Sequence, residues 1–279
     1  MHSPSVSHSH IWKRWGRTVF SIVVVGVLLT PIYYVGIYGM MSTGEIFRQP
    51  PYVVPPNPTL EYYGEAFLTL IRYLQNSVII SAGAVLVTLV VAAPAGFALA
   101  KLRVRSGGLV QLLMAFVQFL PVVAVVIPLF LVFDGLGLGN TRIAVVLTVA
   151  SLTIPLNVII LSAYMRSIPY SLLESAYIDG ATPIQGFFLL LPLARPGIAT
   201  GAMFAFLLSW GDFAVSLTLL SSRRLFPMSV GLYDFIGQYG AEWSVLMAGS
   251  MIYTIPTIFV VLFAGRYLVS GLTAGAVKD

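Results

Sequence analysis

Residues Leu109–Phe133 read LVQLLMAFVQFLPVVAVVIPLFLVF, 25 consecutive positions without a charged side chain. A bilayer core needs about 20 apolar residues to be crossed as an α-helix, so this stretch alone points to a membrane. Five more uncharged or nearly uncharged runs lie on either side of it: Thr18–Met41, Ser77–Ala100, Ile143–Met165, Gly197–Leu220 and Val245–Gly265, each 21 to 24 residues long. Only 9% of the 279 residues are charged and 58% are hydrophobic, whereas a soluble domain carries about 25% charged residues. The reading is an all-α, polytopic membrane protein with six transmembrane helices. Residues 1–17 form a polar, solvated tail and residues 18–279 a single transmembrane domain.

Several chemistries have no residues to run on. The three histidines (His2, His8, His10) all lie in the N-terminal tail, and there is no cysteine. A zinc site or a His-assisted nucleophile therefore cannot be assembled in the body of the chain. A phosphate-binding loop needs Gly-Lys-Ser/Thr, but Lys13, Lys101 and Lys278 follow Trp, Ala and Val. Work that consumes ATP must be supplied by a partner, and the chain itself binds no cofactor.

Cations set the orientation. Taking alternate inter-helix segments as one side, the N-terminal side holds ten (Lys13, Arg14, Arg17, Lys101, Arg103, Arg105, Arg166, Arg195, Arg266, Lys278) and the other side five (Arg48, Arg72, Arg142, Arg223, Arg224). Both termini are thus expected in the cytoplasm. The first run follows a basic stretch but is longer than a signal-peptide core and lacks a small-residue cleavage site, so it reads as an uncleaved helix. Segment 42–76, with Pro50, Pro51, Pro55, Pro56 and Pro58, reads as an extended outer connection.

The cytoplasmic loop 166–195 is different. In RSIPYSLLESAYIDGATPIQGFFLLLPLAR, Ser171 and Glu174 have capping-box spacing, and Leu173, Ala176, Tyr177 and Gly180 share one helical face. Gly180 can stop that helix with a positive φ. Thr182, Pro183 and Gln185 then supply a second start. Two short helices joined at Gly180-Ala181 form an elbow suited to docking.

Here the sequence resembles a family. Glu174-Ser175-Ala176, Asp179-Gly180-Ala181-Thr182-Pro183 and Leu191-Pro192-Leu193 are similar to the signature loop of bacterial ABC-importer permeases. The tail Gly271–Lys278 resembles that of the second permease subunit of maltose/trehalose-type carbohydrate importers. Ser175 stands where the family has Ala, and the spacing from Gly180 to Leu191-Pro192 is one residue shorter. The resemblance implies a bacterial or archaeal cell-membrane subunit that is not an enzyme. It also implies partners: a second permease, two copies of a cytoplasmic ATPase that hold ATP and Mg, and an extracytoplasmic solute-binding protein. The ATPase-coupling residues become Glu174, Ser175, Ala176, Asp179, Gly180 and Ala181, with 271–279 a tail that reaches toward the ATPases. The solute reading is a di- or oligosaccharide; a polyamine or another small solute shares the same loop.

Within the spans, Asp212 is the only carboxylate, and intramembrane ionisable groups default to function. Gly201, Ala205, Ser209, Asp212 and Ser216 fall on one helical stripe that could line a pathway; a structural hydrogen bond from Asp212 is the competing reading. Trp210 and Tyr253 could stack on sugar rings or serve packing. Asn157 could bond a substrate hydroxyl or a carbonyl freed by Pro155. Gly197 and Gly201 allow close helix approach. An ion-coupled transporter would show more charged relay residues than this chain has.

Overall fold

A computed structural model describes residues 8–102, 104–239 and 242–274, with side chains placed for 15–102, 104–236 and 242–267. Among them there is no strand. The helices are α1 (His8–Tyr38), α2 (Thr43–Ile46), α3 (Glu61–Lys101), α4 (Gly107–Val117), α5 (Val122–Gly135), α6 (Arg142–Ser167), α7 (Ser171–Ile178), α8 (Pro183–Leu190), α9 (Arg195–Trp210), α10 (Ala214–Leu219), α11 (Met228–Tyr239) and α12 (Trp243–Ala274). His2 and residues 275–279 of the tail lie outside the described residues.

Four helices are long and apolar enough to cross a bilayer: α1, α3, α6 and α12. Two further candidates are bent pairs, α4 with α5 at 96° and α8 with α9 at 81°. Three expectations change accordingly. The run Leu109–Phe133 is not one rod. It unwinds after Val117 through three tight turns that end at Leu120 and restarts at Pro121, the N-cap of α5. A proline lacks the N–H to continue a helix and pushes the preceding residue toward extended backbone. The run Gly197–Leu220 likewise splits into α9 and α10 around Gly211–Phe213. The N-terminal helix begins at His8, so residues 8–17 of the expected tail are helical and continuous with α1.

The outer connection is also more helical than its prolines suggest. α2 forms a single turn in which Glu45 accepts from the N–H and the hydroxyl of Ser42 at 2.9 Å each. These bonds, the backbone one first, hold the Glu45 carboxyl below its ordinary range. The contact is accordingly present at neutral pH and lost as acid protonates the group. α3 starts at Glu61, far ahead of the hydrophobic run, with Ala66, Leu70 and Tyr73 spaced along one face. Membrane hydropathy misses that extension because Glu61, Glu65 and Arg72 interrupt it.

The chain divides into two compact units, Met1–Leu68 with Tyr239–Ile252, and Thr69–Gln238 with Tyr253–Asp279. In the first, Gly39 lies against Ala248 so closely that a Cβ would stand 2.8 Å from its Cα, and Tyr63 donates to the Gly36 carbonyl at 2.8 Å. In the second, α9 packs along α6 at its glycines. A Cβ on Gly197 would meet the Tyr164 ring at 2.6 Å, and one on Gly201 the Asn157 carboxamide oxygen at 2.5 Å. The GxxxG pair therefore does what its small size allows. One end of this unit is a cluster of Ile80, Val126, Val145, Val149, Val215, Leu219 and Val230; the elbow stands on another, formed by Phe97, Met165, Leu173, Leu190 and Ala194.

Candidate functional site

The elbow is two helices, α7 and α8, meeting at Gly180. Gly180 has φ +86°. Its N–H donates to Tyr177 at 3.1 Å and that of Ala181 to Ala176 at 2.9 Å. This is a Schellman termination, in which a left-handed residue satisfies two carbonyls at the helix end. The second start forms as its residues predict: Thr182 Oγ1 accepts from Gln185 N–H at 3.4 Å, Gln185 Oε1 accepts from Thr182 N–H at 2.7 Å, and Pro183 takes the first position. Replacing Thr182 with alanine is expected to cost α8 about 1 kcal/mol, seen as faster amide exchange at residues 184–187 with the rest of the chain unchanged.

The first start does not form that way. Tyr170 occupies the N-cap with helical backbone and no side-chain cap, and Ser171 is already inside α7. The Ser175 hydroxyl instead bonds back to the Ser171 carbonyl at 3.0 Å. The capping box read from Ser171 and Glu174 is therefore replaced by an uncapped turn, and Glu174 is left exposed. Of the face read from Leu173, Ala176, Tyr177 and Gly180, only Leu173 turns fully inward. Leu173 is buried, and Gly186 of α8 approaches it so closely that a Cβ would sit 2.9 Å from a Leu173 methyl. Gly186 carries the α7–α8 crossing; nothing around it in the sequence sets it apart from an ordinary loop glycine.

Other side chains fix the elbow to the spans. Lys101 Nζ, at the end of α3, donates to the Ile168 carbonyl. Arg166 donates to Gln111 Oε1 at 2.9 Å, while Gln111 Nε2 donates to Ser162 at 2.9 Å. Phe187 stacks edge-on against Phe97 at 5.5 Å. The elbow is thus held to α3 through Lys101 and Phe97 and packs on α6 at Met165, while Gln111 ties α4 to α6. Its outer surface is a shallow concavity of about 380 Å³ lined by Ala176, Asp179, Gly180, Ala181, Gln185 and Leu189. Ile178 (86% exposed), Ile184 and Phe188 also project from the elbow.

The residues singled out within the spans sit elsewhere and hold one another. Asp212 does not continue a stripe from α9, because the helix ends at Trp210. Its carboxylate caps α10, accepting from Val215 N–H at 3.2 Å, Ser216 N–H at 3.0 Å and Ser216 Oγ at 2.8 Å. The Ser229 hydroxyl closes onto its carbonyl. Asp212→Ala strips these donors of a partner and is expected to lower stability by about 1–3 kcal/mol. Asp212→Asn, which keeps one acceptor, should cost less in the same thermal melt.

Trp210 is 4% exposed, sandwiched between Phe206 (centroids 5.1 Å) and Tyr253 (5.3 Å). Its indole donates to the Tyr253 carbonyl at 3.1 Å, and the Tyr253 hydroxyl returns a bond to the Trp210 carbonyl. Neither face of Trp210 is open to a sugar ring in this conformation. Ser209 bonds its own helix at the Phe206 carbonyl. Asn157 donates to the Thr153 carbonyl at 3.0 Å, not to that of Ser151, the acceptor Pro155 leaves without its helical donor. Its carboxamide oxygen is buried with no partner, facing Gly201.

The fold is that of a multi-helix membrane protein with a structured loop, and its family and relatives make it a membrane permease of the ABC importer type. The structure matches a bacterial ABC transporter involved in the import of the acidic polysaccharide alginate, with a TM-score of 0.77 over 95% of this chain and 99% of that one, at 24% identity. Residues 92–273, which take in the elbow, match the binding-protein-dependent transport system inner membrane component family, and the chain belongs to it. Members of that family are transport subunits, not catalysts, and work as components of ABC systems. The chain is similar over nearly its whole length to characterised permeases. It is 30% identical to the diacetylchitobiose uptake system permease protein DasC of Streptomyces coelicolor (95% of this chain, 97% of the relative). It is 31% identical to the trehalose transport system permease protein SugB of Mycobacterium tuberculosis (93% and 96%). The figure is 30% for the trehalose/maltose transport system permease protein MalG of Thermococcus litoralis (92% and 96%).

Proposed function

We propose that this chain is the transmembrane permease subunit of an ATP-driven importer for a di- or oligosaccharide. It forms the pathway with a second permease and lies in the plasma or inner membrane of a bacterium or archaeon, with six spans and both termini cytoplasmic. The ten-to-five distribution of cations supports that orientation. An extracytoplasmic protein delivers the solute, and two ATPase subunits holding ATP and Mg bind the elbow, residues 171–188. The observation that carries the reading is the elbow itself. It is a glycine-hinged helix pair with an open concavity, braced onto α3 and packed on α6, in a chain without a nucleotide-binding motif. The disaccharide reading rests on the three sugar-transport relatives.

In this cycle the chain performs no chemistry. Closure of the ATPases presses on Ala176, Asp179, Gly180 and Ala181, and the contacts of Lys101 with Ile168 and of Phe97 with Phe187 turn that push into a tilt of the helices. The test is uptake of radiolabelled trehalose, maltose and diacetylchitobiose by proteoliposomes holding the co-purified subunits. ATP-dependent uptake of at least one, insensitive to a protonophore, is the expected result. Uptake abolished by the protonophore while ATP stays high would contradict it.

A further inference from the structure

The second unit carries a groove that the elbow does not use. It is walled by Ala82 and Val85 of α3, Ala199, Ala202, Met203 and Phe206 of α9, and Val260 and Ala264 of α12, with a volume of about 380 Å³. Every lining side chain is apolar. A sugar would find no partner there for its hydroxyls, and unpaired polar groups are not buried without loss. The groove fits hydrocarbon.

One end of it is cationic. Arg195 precedes Ala199 by four residues, so it shares the face that carries Ala199, Ala202, Met203 and Phe206. It is exposed, and its side chain has neither an ion pair nor a hydrogen-bond partner among the described residues. On α12, Tyr267 follows Ala264 by three residues and Val260 by seven, on the groove face. The Arg266 guanidinium lies 4.9 Å from the centre of its ring and donates to its hydroxyl at 3.1 Å. Tyr164 draws the two ends together: its ring lies against Gly197, and its hydroxyl donates to the Tyr267 carbonyl at 2.9 Å. Arg195 and Arg266 thus stand on the two helix segments that Tyr164 joins.

We propose that this groove binds an anionic phospholipid of the membrane in which the protein sits, with one acyl chain along α3, α9 and α12 and the phosphate on Arg195 and Arg266. Basic sites between spans at the cytoplasmic surface hold such headgroups, and both arginines fall on the cation-rich side. Bound there, the lipid wedges between α9 and α12 and sets how freely they separate. The inference rests on the membrane assignment and is independent of which solute is carried.

The full chain, with the subunits that co-purify with it, would be placed in phosphatidylcholine nanodiscs doped with a phosphatidylglycerol bearing a photoactivatable acyl chain. Crosslinks are expected on peptides spanning 199–206 and 260–264 above the level on α1, whose long exposed surface serves as reference. Unlabelled phosphatidylglycerol should compete and phosphatidylcholine should not. Ala202→Trp fills the slot and should reduce groove labelling to the α1 level. Arg195→Gln and Arg266→Gln, both at exposed positions, should each weaken the headgroup preference roughly fivefold. Groove labelling no higher than on α1, as when a neighbouring subunit's helix occupies the slot, would overturn the proposal. So would labelling indifferent to headgroup, or undiminished in either arginine variant.

Discussion

Gly180→Val is expected to leave the protein folded in the membrane and to abolish solute uptake while ATP hydrolysis continues. Gly180 holds φ +86°, a region that β-branched residues avoid, and forcing one there costs about 2 kcal/mol. No atom lies within 4 Å of a Cβ at this site. The damage is therefore confined to the turn: the bonds from Gly180 to Tyr177 and from Ala181 to Ala176 are the ones lost. α8 then leaves at a different angle and the concavity over Ala176–Ala181 loses its shape. A penalty of that size lowers the population of the docking geometry roughly thirtyfold. Gly180→Asn, which tolerates positive φ better, should retain much of the activity. If both variants transport normally, the turn has no coupling role.

The second large effect lies at the α6–α9 seam. Gly197→Leu is expected to destabilise the protein by about 3 kcal/mol or more. The new Cβ would stand 2.7 Å from the Tyr164 Cβ, an atom fixed to the α6 backbone, and 2.6 Å from Cγ. The ring cannot swing aside without surrendering its bond to the Tyr267 carbonyl. One turn on, Gly201 is as tightly opposed by Asn157, so α9 cannot slide to a looser register. Gly265→Leu is the comparison, since no atom lies within 4 Å of a Cβ there. Thermal melts of the detergent-solubilised proteins should show a drop of several degrees for the first and little change for the second. Equal melting temperatures would mean that the seam is not closely packed.

How legible these features were in the sequence depends on where the information resides. Thr182, Pro183 and Gln185 specify the α8 start among themselves, through bonds spanning three residues, and the structure has that start as read. Gly180 is similar, because the positive φ of the turn favours a residue without Cβ. Ser171 and Glu174 show the same spacing, yet the helix begins one residue earlier than that box requires. Tyr170 already has helical backbone, leaving Ser171 inside the first turn. Long-range contacts leave no such trace. Gly186 matters because Leu173 meets it, and Lys101 because a loop carbonyl from Ile168 comes within reach.

Hydropathy reports that a stretch prefers lipid and is blind to whether it is one rod or two. It runs unbroken through Gln118–Pro121 and Gly211–Phe213, where the helices break. Pro94, Pro128, Pro155 and Pro256 are accommodated within helices, so proline by itself did not mark the break at Pro121. Asp212 shows the converse. A lone carboxylate in an apolar run reads equally as a pathway residue or a structural hydrogen bond, and only the structure shows its carboxylate capping α10.

Because the chain has no cysteine, one introduced at Ile178 would be unique, and that position is 86% exposed on the elbow. In membranes containing the whole assembly, a short thiol crosslinker on Ile178→Cys is predicted to capture the ATPase subunit, with a yield that changes when ATP is added. Failure to capture any ATP-hydrolysing subunit from an assembly that still transports would contradict the account.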